Sequence, residues 1–382
     1  MTADSEAPDA VSSPAEPPPP SGGWLRKVDR QTILMILTIK ALVFAFAAVG
    51  LQTLTDERTG FEEMWNRWDS LHYRLLAESG YSATGEERFS LVFYPLFPWL
   101  VRCVAFVVRD FFASAVLVSG VATVAAGLLL QRLTQLDAPA ATARNAVWFL
   151  MIFPTSYFLH INYTESLFLA LVIGCIVAAR HDRWALAGIL GLCASLTRVN
   201  GLLLVPTLAF EVWHRYRLTR RIDWRWLWVG AVGVGFLGYL ALNYRVTGDP
   251  FAFTKLMEDR WYKKFTPPWV GIQDVWARVP ESNRTEGFHE FFFIVLGFVC
   301  TIWCWLRLRA SYAVWMTMNW LLITSTAFVV SVPRYTLTFF PMFILFGALA
   351  AKRPLAGMAI TIWSIFFLAI FASRFVQGLW AF

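Results

Sequence analysis

Charge is scarce in this sequence. Only 15 % of its 382 residues are Asp, Glu, Lys or Arg, whereas 57 % are hydrophobic and 16 % aromatic. With a mean hydropathy of +0.53, the chain lacks the polar coat a soluble domain needs and reads as a polytopic membrane protein. Cysteine is sparse too: Cys103, Cys175, Cys193, Cys300 and Cys304 all lie in apolar segments, the ordinary place for a small buried thiol. There is no disulfide framework, no CxxC pair, no DxD motif and no His/Cys cluster, so no structural metal and no cofactor is expected. A divalent metal stays open, because one carboxylate and a substrate phosphate suffice to hold Mg²⁺. The two halves show no repeat of each other. The basic excess, a formal +7, is accounted for by membrane topology without nucleic acid as a partner.

Residues 1–23, rich in Pro, Ala, Ser, Glu and Gly, cannot bury enough surface to fold and read as a disordered cytoplasmic tail. No cleavable signal peptide is recognised, and the first span is expected to act as signal anchor. Apolar stretches of about 20 residues, the length of a bilayer crossing, occupy 31–51, 111–131, 144–160, 164–180, 226–246, 289–308, 312–330, 335–350 and 355–373. Between 184 and 213 the sequence "TRVNG" interrupts a longer stretch, predicting two shorter or broken spans that meet at a polar point. The stretch 91–108 is undecided between crossing and partial insertion, because Pro95, Pro98 and Arg102 interrupt it. If it does not cross, the Arg and Lys clusters share one side, cytoplasmic by the positive-inside rule. Loops 52–90 and 247–288 and the motifs at Tyr163 to Glu165, Asn200 and 332–335 then share the other.

"NRWDSLHYRLLAESGY", residues 66–81, concentrates charge where an apolar chain has little reason to. Phe61, Trp65, Trp68, His72, Leu75 and Leu76 recur at spacings of three and four, predicting an amphipathic helix lying in the membrane interface, its tryptophans at headgroup level. Asp69 and His72 share one flank of it; a solvated interfacial helix with incidental charges is the plainer alternative.

A charge at membrane depth costs about 2.5–3.5 kcal/mol and is paired or functional. Lys40 reads as structural, neutralising a buried carboxylate. Glu165 in "NYTES" is either a capping residue after Thr164 or, with Tyr163, part of a site. Arg198 and Asn200 have no good structural purpose in an apolar stretch; a guanidinium there grips a phosphate or carboxylate with a planar fork. Arg334 and Tyr335 repeat the pattern of a cation beside an aromatic. Lys255, Arg260, Lys263 and Lys264 alternate with aromatics in "GDPFAFTKLMEDRWYKKFTPPW", which suits a surface facing lipid phosphates.

Taken in order, "RWDSLHYRLLAESGY", "FYPLFPWL", "FPTSYFLHINYTESLFLAL", "TRVNG" and "VPRYTLTFFPMFILF" resemble the PIG-V type of mannosyltransferase and its bacterial relatives, over residues 31–350. The resemblance implies an all-α GT-C transmembrane bundle filling 24–382, with interfacial helices in its first outer loop. It further implies transfer of a mannosyl or other hexosyl residue from a polyprenyl-phosphate-linked donor to a lipid-linked or glycolipid acceptor. The site would face outward from a bacterial plasma membrane, or into the endoplasmic reticulum lumen in a eukaryote. Asp69 stands where the family carries its acidic residue and would be general base. His72, Tyr163, Glu165, Arg198, Asn200, Lys255, Arg260, Arg334 and Tyr335 would bind substrate. The chain is short for the eukaryotic enzyme, which favours a bacterial glycolipid acceptor. A lipid transporter or flippase also carries broken helices and buried charge, and a scaffold subunit is the third class; neither needs Asp69.

Overall fold

The computed structural model describes residues 27–55, 60–281 and 286–382. The predicted tail at 1–23 and short parts of both predicted outer loops lie outside the described residues. The described chain is helical throughout, without a strand, and holds one isolated bridge between Phe265 and Thr326.

Helix α1 (Lys27–Thr55) opens the bundle, followed by α2 (Phe61–Trp65), α3 (Asp69–Glu78), α4 (Leu96–Val108) and α5 (Phe111–Gln135). Arg132 Nη2 lies 3.1 Å from Asp29 Oδ2, and farther along Lys40 Nζ donates to the Val116 carbonyl at 3.5 Å. These contacts make α1 and α5 antiparallel, so everything between them sits at one end of the bundle and α4 does not cross. The turn at Glu86–Val92 and α4 are bent by 109° against each other, at the prolines that left this stretch undecided. Arg102 has a use after all: its guanidinium donates to the carbonyls of Ala77 and Leu76, at 2.7 and 3.3 Å, and so caps the C-terminus of α3.

From α5 the legs alternate. Helix α6 (Ala140–Ile152) breaks at Phe153–Pro154 and reaches the far end through a short turn, and α7 (Glu165–Arg180) returns. Helices α8 (Trp184–Ser195) and α9 (Leu204–Thr219) are the two short spans predicted around "TRVNG", with that sequence as their apex. A Cβ on Gly201 would run into the backbone of Ala194 and Ser195, so glycine lets the apex fold back on α8. Helix α10 (Ala231–Thr247) ascends to α11 (Ala252–Trp261) and α12 (Pro268–Glu281). Helix α13 (Glu286–Arg307) descends and α14 (Ala310–Thr324) rises. The five-residue α15 (Val332–Thr336) precedes α16 (Phe340–Lys352) and α17 (Pro354–Val376). Five of these segments are long and apolar enough to cross a membrane unaided; shorter apolar helices pack between them. The chain is an integral, multi-pass membrane protein.

At the basic end, ion pairs tie the legs together: Arg180 to Asp137 at 2.7 Å, Arg309 to Glu211 at 2.7 Å and Arg215 to Asp182 at 2.8 Å. The other end is held apart by aromatic packing, where Trp65 is fully buried between Phe44 and Phe375.

Two expectations are corrected here. The interfacial helix over 61–76 is not continuous: it breaks between Trp65 and Asp69, where Trp68 has φ 56°. Trp65 therefore plugs the bundle beneath α1 and α17 instead of lying at headgroup level. Lys40 meets no carboxylate among the described residues, only the Val116 carbonyl and, at 5.5 Å, the face of Phe44.

The positive-inside rule predicts a cytoplasmic basic end, and labelling tests that expectation. With Cys103 replaced by Ser, a cysteine at exposed Glu87 should react with an impermeant thiol reagent in intact cells, and one at exposed Thr219 should not. Labelling of position 219 alone would invert the orientation.

Candidate active site

At the end opposite the basic cluster, a cavity of about 520 Å³ opens between α3, the 92–94 elbow, the α8–α9 apex, α11 and the segment leading into α15. Short polar connections between apolar helices meet there, because backbone that leaves the helical ladder needs partners other than lipid. Its floor is a chain of charges. Arg334 Nη1 donates to Asp69 Oδ2 at 2.8 Å, Arg334 Nε lies 3.6 Å from Glu165 Oε1, and Arg198 Nη1 donates to the same Oε1 at 2.6 Å. Arg198 also donates to Thr164 Oγ1 at 2.9 Å. Thr164 stands at the N-cap of α7 without a side-chain cap hydrogen bond, and Glu165 occupies the first turn. Neither arginine is isolated: each guanidinium is neutralised from the same buried carboxylate, as cations at this depth require.

Asp69 is the first residue of α3, where the positive end of the helix dipole favours a carboxylate. Its side chain is 24 % exposed, Oδ2 faces Arg334, and no described residue donates to Oδ1. Backbone strain brackets the pair. Trp68 just before Asp69 and Ser331 just before α15 both have positive φ, at 56° and 68°, conformations a non-glycine residue holds only when its surroundings impose them. For Ser331 the restraint is visible: both carboxylate oxygens of Glu290 accept 2.7 Å hydrogen bonds, from the Ser331 and Val332 N–H groups. Glu290 thereby aims the helix that carries Arg334.

The rim is cationic and aromatic. Lys263 Nζ donates to the Tyr335 hydroxyl at 3.0 Å and has no carboxylate partner among the described residues. The chain around Lys263 is pinned to the segment after α14, with Thr266 N donating to the Ser325 carbonyl and Ala327 N to the Lys264 carbonyl. Arg198 and Arg334 stand 5.6 and 5.4 Å from the centre of the Tyr335 ring, within cation–π range. His72 stacks on Phe93 at 4.7 Å, and its Nδ1 meets the Ser90 hydroxyl at 2.9 Å. Burial holds the imidazole below its usual pKa; nearby Asp69 pulls it up and Arg260 pushes it down further. Trp68 and Trp380 close one wall edge to face at 5.3 Å.

Asp69, His72, Arg198, Asn200, Arg260, Arg334 and Tyr335 thus line one cavity. Three expected ligands do not reach it. Glu165 is 1 % exposed, sealed behind the arginines it neutralises. Tyr163 is also buried, its hydroxyl donating to the Arg67 carbonyl at 3.0 Å and its ring beneath Arg334. Lys255 points to solvent and pairs with Asp249 at 3.3 Å. Asn200 lines the cavity but its amide is committed to Asn319 at 2.8 Å. Lys263, expected among the outer cations facing lipid phosphate, does line the cavity; Trp380 and Glu290 are not among the expected residues and carry no signal in the sequence.

No group of three or more His, Cys, Asp or Glu side chains among the described residues could hold a metal ion. No known protein family and no curated protein matches this sequence. Among solved structures, 90 % of the chain superposes on 70 % of ArnT from Cupriavidus metallidurans, crystallised with undecaprenyl phosphate, at a TM-score of 0.51 and 16 % identity. The chain shares the overall fold of ArnT. The oligosaccharyltransferase of Archaeoglobus fulgidus is also similar, at a TM-score of 0.49 and 9 % identity, with 91 % of this chain on 56 % of that one. The chain thus spans little more than half of that enzyme. A complex of the same archaeal protein with an inhibitory peptide and a dolichol-phosphate aligns at a TM-score of 0.46 and 12 % identity.

Proposed function

We propose that this GT-C fold is a membrane glycosyltransferase that moves a hexosyl, by family resemblance a mannosyl, residue from a polyprenyl-phosphate carrier to a lipid-linked or glycolipid acceptor on the outer face. The observation that carries this reading is Asp69. With one carboxylate oxygen that no described residue donates to, it lines a cavity that also holds Lys263, Arg260, Arg198 and Arg334. The undecaprenyl phosphate in ArnT and the resemblance of the sequence motifs to PIG-V type enzymes support a polyprenyl-phosphate donor.

In the proposed reaction the acceptor hydroxyl attacks the anomeric carbon and passes its proton to Asp69 Oδ1. The bond from that carbon to the phosphate oxygen breaks, and the lipid phosphate leaves with the electron pair toward the Lys263 side. Fixed cations there stabilise the developing charge. One displacement inverts the anomeric centre. Retention by double displacement needs a second carboxylate about 5–5.5 Å away across the sugar; Glu165 faces the arginines, not the cavity.

The test is to incubate the purified protein with polyprenyl-phosphate hexoses and a membrane-lipid extract, and to compare the lipid-linked glycans of cells with and without it. A new glycolipid that depends on both protein and donor is the expected outcome. Unchanged glycans in the cells together with no transfer from any carrier would remove the reading.

Lys263 gives a narrower prediction. Lys263→Met removes the unpaired cation of the rim and should raise the donor KM about tenfold, the loss of one charge-assisted hydrogen bond of ~1.5 kcal/mol. Acceptor KM should hardly move, and Lys255→Met should resemble the wild type, because Lys255 faces solvent with its own carboxylate. Equal effects of the two substitutions in steady-state kinetics would deny Lys263 a phosphate contact.

A further inference from the structure

The reaction proposed above makes no use of the basic end, yet that end carries the densest cationic stretch of the chain, "RYRLTRRIDWRWLW" over 215–228. Most of a basic end is explained by topology alone, so the question is whether anything here is built. Arg215 and Arg225 are committed to Asp182 and Asp223, at 2.8 and 2.6 Å. Arg217, Arg220 and Arg221 are exposed and have no carboxylate partner among the described residues. Arg217 lies over the Trp213 ring at 4.9 Å, which holds its guanidinium against the helix. Arg220 ends α9 with φ 55°, and this left-handed turn sends the chain back along the helix it has just left.

That reversal leaves a second cavity, of about 360 Å³, walled by Ala209 and Val212 of α9 and by Ile222, Trp224, Trp226 and Leu227 of the returning segment. Its lining is apolar apart from Asp223, which Arg225 and the turn backbone already occupy. Ile222 and Trp224 at its mouth are each 80 % exposed. Side chains this large and apolar are not left in water beside three unpaired arginines; they belong at a membrane interface, where tryptophan sits at headgroup level and guanidinium meets phosphate. A hydrocarbon groove whose lining adjoins, along the chain, exposed cations without a carboxylate partner among the described residues is complementary to one kind of molecule, a lipid with an anionic head.

We infer that the turn between α9 and α10 is a binding site for one anionic phospholipid of the adjacent leaflet, an acyl chain in the groove between α9 and residues 222–229 and the headgroup phosphate on Arg217, Arg220 and Arg221. The inference does not depend on the glycosyl-transfer reading, and lies at the opposite end of the bundle from Asp69.

The experiment uses the full-length protein in mild detergent, supplied with phosphatidylglycerol, phosphatidylcholine or inorganic phosphate. It is followed by thermal unfolding and by native mass spectrometry. Phosphatidylglycerol should raise the thermal midpoint and remain bound as a single molecule where phosphatidylcholine does not. Arg220→Gln with Arg221→Gln should weaken its retention about thirtyfold, as expected for two basic residues at an anionic surface. Arg220→Lys with Arg221→Lys should keep most of it, which separates lost charge from a misfolded turn. Equal stabilisation by both phospholipids, undiminished retention by the Gln variant, or an equal rise with inorganic phosphate would each overturn the site.

Discussion

Asp69→Asn should leave the protein folded and inserted while lowering sugar transfer by about 10²–10⁴-fold, the usual worth of a positioned general base. The amide is nearly isosteric, and its oxygen can still accept the 2.8 Å hydrogen bond from Arg334 Nη1. Arg334 keeps Glu165 at 3.6 Å as a counter-charge, so the guanidinium is not stranded. What is lost is the ability of the other oxygen to take a proton from the acceptor hydroxyl. The loss should therefore fall on kcat with little change in the KM of donor or acceptor. Initial rates at saturating donor, beside the thermal midpoint in detergent, separate a lost base from a lost fold. A variant that turns over at the wild-type rate would take Asp69 out of the chemistry.

How much of this was legible in the sequence depends on the range of the interaction. Spans are local, so runs of apolar residues located most of the legs, and "TRVNG" marked the apex of α8 and α9 because Arg and Asn have no place inside a span. Asp69, Arg198 and Arg334 stood out by the same logic of cost. Their pairing did not, because Arg198 meets Glu165 from 33 positions away and Arg334 meets Asp69 from 265, and a single sequence holds no record of such contacts. Each arginine looked like an unclaimed cation when it was half of a neutral pair. The helix over 61–76 failed for a different reason. Spacings of three and four run through the break, but Trp68 takes a left-handed φ that tertiary packing imposes. That break is what swings Trp65 into the core and leaves Asp69 at the start of a helix facing the cavity. The ends of the 312–330 and 335–350 stretches moved to Thr324 and Phe340. The backbone between them is spent on the turn at Ser331, the short helix of Arg334 and the clasp on Lys263.

Glu165→Ala should be the most destabilising single change at the site. Removing one member of a buried ion pair costs about 3–5 kcal/mol, because the partner stays buried and uncompensated. Glu165 is 1 % exposed and serves two guanidiniums, Arg198 at 2.6 Å and Arg334 at 3.6 Å. The expected result is a thermal midpoint, at one fixed heating rate, far below that of Asp69→Asn. Glu165→Gln keeps the shape and loses the charge, and it separates folding from catalysis. With Glu165 neutral, Arg334 has Asp69 as its remaining carboxylate, and the cation is no longer shared. At temperatures where Glu165→Gln is fully folded, kcat should still fall while donor and acceptor KM hold, because Arg334 then turns its whole charge on Asp69. Adding Arg198→Gln to Glu165→Gln removes one stranded cation, so the double variant should be more stable than the sum of the single losses predicts. If Glu165→Gln melts and turns over like the wild type, the buried carboxylate neither holds the arginines nor tunes Asp69, and the charge chain along the cavity floor has no part in the reaction.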